Sequence, residues 1–387
     1  MRVAYILSGT TNIGGASKAY LNMVRPLTEK GVEVLTICPD TDGIFQDIEN
    51  GAVKDGNVKV IDYTYSCLPF TRSARDYILW LPRLIKRVIK NKRAASRLSQ
   101  ILREFKPDII HTNTSVNNIG YLAAKTLGVP HVWHVREYGD KDFSMIVPNQ
   151  YKMLTSPANY SIFITKDIRK YKRLDHNPTA EVIYDGVLEE SAIQEPGRDS
   201  GYFMFAGNVS ILKGIGDLID AYRKYCNKVG LAKALPLKVA GPIDPTAKSL
   251  VEEISRSPIA SKIEFLGRVQ NITELYARAK AVIIPSRSEG FGFVMPEALA
   301  AGALVIARNT GGLKEQFENG VSLTGKEIGI SFNNIDELAD ILENVADSPK
   351  EKYLEMIECG QKCVLELYSI RSHSDKVWNL YNKILGK

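Results

Sequence analysis

Cysteine is scarce: the 387 residues contain five, and Cys38, Cys67, Cys226, Cys359 and Cys363 fall at none of the spacings of a structural zinc site or a redox dithiol. An odd and scattered set excludes a disulfide-stapled scaffold and fits free thiols in a reducing compartment. No apolar run approaches the ~18 residues that a membrane-spanning helix requires. Short-period repeats and low-complexity tracts are absent as well, which excludes solenoids and disordered arrays. The G-x-G-x-x-G fingerprint does not follow the first apolar run, and no ribose-binding acid is well placed behind it, so a nicotinamide-dependent enzyme is disfavoured. Residues 1–9 carry a single charge and a short apolar stretch, which reads as a first strand and not as a leader; a cytoplasmic protein is the expectation.

What is present is an ordinary globular composition, 44% hydrophobic and 24% charged, in a chain too long for one core, since single cores stop growing near ~250–300 residues. Short β-branched runs at 2–8, 32–38, 58–63, 108–112, 131–135, 160–165 and 181–184 alternate with segments of helical spacing. A polar stretch at 189–200, with Pro196 and Gly197, interrupts the pattern and reads as a linker. The alternation then restarts, with strands expected at 202–206, 237–240, 263–266, 281–285 and 304–307. The prediction is an α/β protein of two Rossmann-like doubly wound domains, 1–190 and 200–368, facing each other across a ligand-binding cleft. A C-terminal helix at 369–387 is expected to pack back on the first domain.

Three stretches carry chemistry. After the first strand, Gly14 and Gly15 stand at a helix start, where backbone N–H groups and the helix dipole suit either an anion or a tight turn. In the second half, Phe205-Ala206-Gly207-Asn208 ends a strand and Lys213-Gly214 opens a helix; a lysine there opposes the dipole unless an anion lies between them. The third is Glu289-Gly290-Phe291-Gly292-Phe293-Val294-Met295-Pro296-Glu297, a glycine loop that runs into a helix with Pro296 and Glu297 in its first turn. Its backbone N–H groups suit a diphosphate, and its two carboxylates suit sugar and ribose hydroxyls. Asp40-Thr41-Asp42 also spells a metal-binding triplet, but its turn-rich surroundings favour an Asp turn, and no metal is expected.

Glu289 and Glu297 form the E-x7-E pattern of family-4 glycosyltransferases, and the chain resembles that family along nearly its whole length, through Gly14-Gly15, Lys213-Gly214, Phe265-Leu266-Gly267-Arg268-Val269 and Gly311-Gly312. The resemblance implies the GT-B fold and a retaining transfer of a sugar from a nucleoside-diphosphate sugar, UDP-linked by default, to an acceptor hydroxyl. It implies further that Lys213 neutralises the diphosphate, that Glu289 positions the sugar and that Glu297 holds the ribose. The backbone of Gly292, Phe293 and Val294 would line the phosphates, Gly290 and Phe291 would belong to the same substrate-binding loop, and Val269 would meet the base. His134 would face the sugar, with His111 a lesser candidate. One position departs from the pattern: Asn208 stands where many relatives carry an arginine, so Lys213, Arg268 or Arg287 would have to supply the charge. An epimerase of the same architecture and an inactive, donor-binding relative are the alternatives.

Net charge is +6, but residues 72–103 hold ten Lys or Arg against one acid, Asp76, which leaves the rest of the chain net negative. Apolar residues recur there at helical spacing beside the basic ones, with Pro82 starting or kinking the helix. Aromatics do not interleave with the basic residues, so no nucleic-acid site is expected. An anionic membrane surface is the expected partner, with Trp80 at headgroup depth and a peripheral enzyme of the inner leaflet acting on a glycan or lipid-linked acceptor.

Overall fold

The computed structural model describes residues 1–9, 15–66, 68–69, 74–143, 145–197 and 200–387. Gly14 and Arg72 lie outside the described residues. The chain divides into two compact units, Met1–Val187 with Ile370–Lys387, and Leu188–Ser369.

The first unit is built on a parallel sheet of β1 (Arg2–Ile6), β2 (Glu33–Cys38), β3 (Asn57–Val60), β5 (Ile109–Thr112), β6 (His131–Val135), β8 (Asn159–Phe163) and β9 (Ala180–Val182), in the order β3-β2-β1-β5-β6-β8-β9. β4 (Leu68–Pro69) and β7 (Met145–Ile146) form a separate antiparallel pair. Strands such as β5 and β6 are buried at every position because helices cover both faces, which is why they read as runs and not as alternations. One face packs Val3, Tyr5, Met23 and Val34 with Val377, Leu380 and Tyr381 of the last helix, Ile370–Ile384. The other packs Ala4, Ile6 and Ile110 with Leu98 and Leu102 of the long helix Ala74–Phe105. That helix starts at Ala74 and contains Pro82, so the proline does not begin it.

The second unit repeats the plan with β10 (Phe203–Ala206), β11 (Leu237–Ala240), β12 (Ile263–Gly267), β13 (Ala281–Ile284), β14 (Val305–Arg308) and β15 (Ile330–Phe332), in the order β12-β11-β10-β13-β14-β15, all parallel. The strand order reverses direction between β10 and β13. Ligands of such sheets sit beyond the carboxyl ends of the strands at that switch point.

The stretch read as a linker is not a free tether. The Gln194 N–H donates to Ala300 O at 2.9 Å, Gln361 donates to Gln194 O at 2.6 Å, and Lys350 donates to Gly197 O at 3.0 Å, so these residues are strapped along the second unit. Among the described cysteines, Cys38, Cys226 and Cys363 are buried and Cys359 is half-buried, all as free thiols. Burial pushes the Cys38 and Cys363 thiols up to about 12, which keeps them protonated and unreactive. Among the described residues no helix is long and apolar enough to cross a membrane.

Candidate active site

At the switch point of the second sheet, the loops after β10 and β13 touch through a glycine. Gly214 begins the helix Ile215–Val229 with φ +76°, and a Cβ there would stand 1.9 Å from the carbonyl oxygen of Pro285. Only glycine tolerates both the left-handed backbone and that approach. The Arg287 N–H donates to Leu212 O at 3.1 Å and ties the same two loops again. Their contact brings Lys213 beside Glu289, with Nζ 2.6 Å from Oε2. The lysine side chain remains 36% exposed and the glutamate 15%, so the pair lies at the surface with Nζ protons left for another acceptor.

The glycine loop is held from behind by the helix Gly311–Thr324. The Gly312 N–H donates to Glu289 O at 2.8 Å, and a Cβ on Gly312 would meet Gly290 O at 2.5 Å, so the helix start presses directly on the loop. Gln316 donates to Phe291 O at 2.5 Å, and the buried Phe291 ring packs edge-on against Phe293 and Tyr368 with centroids 5.5 and 5.4 Å away. Gly292 takes φ +91° as the chain turns into the helix Val294–Ala300. Glu297, half-buried, lies in that helix's first turn, where the Met295 and Glu297 N–H groups donate to Gly292 O and Phe293 O at 3.1 and 3.2 Å.

The cations around this loop divide into committed and uncommitted. Arg287 grips Asp217 with two bonds of 3.1 and 2.6 Å, and Arg308 adds a third of 2.5 Å. The Arg287 hydrogen bonds outweigh the effect of burial and hold the Asp217 carboxyl below the usual carboxylate range. Arg287 therefore serves as a brace under the loop, not as a loose phosphate clamp. Arg268 and Val269 follow β12; Arg268 is exposed and has no hydrogen-bond or ion-pair partner among the described residues. Asn208 donates to Asp244 Oδ2 at 3.3 Å and brings no charge. Asp217, Arg308 and Gln316 carry no local signal in the sequence, because their partners lie at least 23 residues away along the chain.

Gly15, His111 and His134 belong to the first unit. Gly15 opens the helix Gly15–Glu29 and is exposed. His134 is not: the end of β6 points inward, and the ring is fully buried between His111 and His373, with centroids 5.4 and 5.8 Å away. Arg136 Nη2 lies 3.3 Å from His134 Nδ1, so Nδ1 is the accepting nitrogen and the proton sits on Nε2, 3.6 Å from Asp185 Oδ1. Burial, reinforced by the Arg136 charge, holds His134 well below the usual imidazole value, and it stays neutral. Arg136 itself is bonded to Asp185 and donates to Asn113 O at 3.1 Å. His111 bonds Tyr381 OH through Nδ1 at 2.5 Å, and Tyr381 OH reaches Tyr5 OH at 2.9 Å. The sequence gives the end of a strand but not which way its side chains point.

Two parallel-sheet α/β units of this plan are those of the GT-B fold. Residues 188–362 match the family described as glycosyl transferases group 1, and residues 13–187 match glycosyltransferase family 4; the chain belongs to this family. It is 28% identical over 258 residues to an uncharacterized glycosyltransferase of Methanocaldococcus jannaschii, covering 65% of each chain. It is also 28% identical over 177 residues to the N-acetyl-alpha-D-glucosaminyl L-malate synthase of Bacillus anthracis, covering 46% of this chain and 43% of the other. The chain thus spans 65% and 43% of the lengths of these two relatives. Among solved structures, Anabaena HepE in complex with UDP aligns with a TM-score of 0.75 at 19% identity, over 99% of this chain and all of the other.

Proposed function

We propose that the protein transfers a sugar from a nucleoside-diphosphate sugar to an acceptor hydroxyl with retention of anomeric configuration. The observation that carries this reading is the Lys213–Glu289 pair at the mouth of the glycine loop: one cation for a diphosphate and one carboxylate for a sugar hydroxyl, within one hydrogen bond of each other. In this reading the donor's phosphate takes the Nζ protons that Glu289 does not, and the N–H groups of Gly292, Phe293 and Val294 share its charge. Glu297 holds the ribose, and Val269 meets the base with Arg268 beside it. Uridine is the first base to try, since HepE was crystallised with UDP.

Retention without a covalent intermediate needs no enzyme base. The acceptor hydroxyl attacks from the face the leaving group departs, its proton passes to the departing phosphate oxygen, and the C–O bond to phosphate breaks as the new C–O bond forms. Catalysis is then positioning and stabilisation of charge building on the diphosphate, which falls to Lys213 and the loop amides. A divalent cation is not required in this scheme. His134, buried and neutral, is assigned to the framework of the first unit and not to the sugar.

A panel of nucleotide sugars screened for thermal stabilisation tests the donor, because a ligand that binds only the folded state raises its apparent stability. Transfer by the stabilising donor in the presence of a chelator, with the product anomer read by NMR, tests the rest. An inverted product or no stabilisation by any nucleotide sugar overturns the reading, and stabilisation without turnover replaces it with a donor-binding protein.

A further inference from the structure

The helix Ala74–Phe105 has two halves that the core treats differently. In the C-terminal half, Ala94, Ala95, Leu98 and Leu102 are buried against the sheet. Asn91 pins the helix where the halves meet, donating to Thr64 O at 2.9 Å and accepting the Thr64 N–H at 3.2 Å. In the N-terminal half, Ile78, Leu81, Ile85, Val88 and Ile89 remain 75, 56, 51, 44 and 46% exposed. Their spacing of three and four residues puts them on one stripe. A contiguous apolar stripe left in water marks a surface that meets a partner.

The stripe adjoins a groove of about 890 Å³ between the helix and the segment that follows β3. Ile61, Ile85 and Ile89 line it together with the exposed Lys86, Arg93 and Arg97. Its one acid, Asp62, is already paired with Lys90 at 2.7 Å. Apolar residues flanked by cations, in a chain that is otherwise net negative, match one kind of surface: hydrocarbon beneath a layer of anionic phosphates. A second copy of the chain would meet like charge, and an acidic peptide or nucleic acid would leave the stripe in water. Trp80 is half-buried and falls on another side of the helix, so it is not part of this face.

We propose that this half of the helix docks the protein on an anionic phospholipid bilayer, with the stripe at the boundary of headgroups and acyl chains and Lys86, Arg93 and Arg97 on lipid phosphates. The inference stands on the helix alone; only its corollary, an acceptor carried on a lipid, rests on the sugar-transfer reading. Flotation of the full chain with phosphatidylcholine vesicles, with and without phosphatidylglycerol, tests it at low and high salt. Binding should require the anionic lipid and be released by salt. Changing Lys86, Arg93 and Arg97 together to Gln should lower partitioning about 100-fold, taking roughly fivefold per charge. Changing Ile78, Leu81 and Ile85 together to Ser should abolish flotation, while nucleotide-induced thermal stabilisation, which reads the second unit, stays as in the parent. Equal flotation on neutral vesicles, or parental flotation of either folded variant, overturns the proposal, as does retention of an oligonucleotide or acidic peptide in place of vesicles.

Discussion

Lys213 Nζ stands 2.6 Å from Glu289 Oε2, an ion pair between residues 76 apart in the chain. Pairs with exposed partners contribute only about 0–1 kcal/mol to stability, so this one is too weak to explain its own geometry as a structural device. Lys213→Ala should therefore leave the melting temperature nearly unchanged while lowering turnover by about two to three orders of magnitude. Steady-state kinetics alongside a thermal melt check both halves of the expectation. Turnover near that of the parent would transfer the charge role to Arg268.

The two glutamates should separate binding from transfer. Glu289→Gln keeps the shape of the site but removes the negative charge beside Lys213, so UDP affinity should hold or tighten while transfer falls steeply. Glu297→Ala should weaken the bare nucleotide itself, by about tenfold for a lost ribose hydrogen bond in the ~1–1.5 kcal/mol range. Calorimetric titration of UDP into both variants decides it, and equal losses would remove the division of labour.

Gly214→Ala should be among the most damaging small substitutions in the second unit. It places a methyl 1.9 Å from Pro285 O on a backbone with φ +76°, so strain and overlap together cost about 2–4 kcal/mol. Gly216→Ala, two residues later, meets nothing closer than Leu250 at 3.9 Å and should be tolerated. Denaturant melts of the two variants test the contrast; similar midpoints would mean that the loops after β10 and β13 can part without cost.

The first unit should be acid-labile. Burial lowers His131 and His373 from the usual 6.5 to about 4, and it holds His111 and His134 well below that usual value too. Because the unfolded chain takes up these protons first, the stability is fully present above pH 6.5. It falls as the pH drops toward 4, by about 1.4 kcal/mol per unit for each histidine that protonates only on unfolding. Thermal melts at pH 7.5, 6 and 5 should show the first unit lost earlier at each step, and a flat profile would mean that these rings are already charged in the fold.

Much of this architecture was legible in the sequence because the central strands of each sheet are buried on both faces, which leaves short β-branched runs bounded by turn residues. Strand β15 was missed: with three residues at the sheet edge it carries too short a pattern to stand out. Polar residues with Pro196 and Gly197 signal a connection between units but not that Gln194 and Gly197 would be bonded along the surface of the second unit. At the site, the glycine loop and its two glutamates were readable since their geometry is local. The Arg287–Asp217–Arg308 brace was not, being assembled from positions 70 and 91 residues apart, and neither was the inward turn of His134.

The helix Ile370–Ile384 places Val377, Leu380 and Tyr381 in the core of the unit that begins at Met1. During synthesis that core stays incomplete until these residues emerge, while the intervening segment, Leu188–Ser369, already has every strand and helix of its own unit. The half of the protein made first is finished last, and it must wait with Tyr5 and His111 lacking their Tyr381 partner while its neighbour folds. A stalled or clipped chain missing only its final turns of helix would thus carry a sound second unit joined to an open first one.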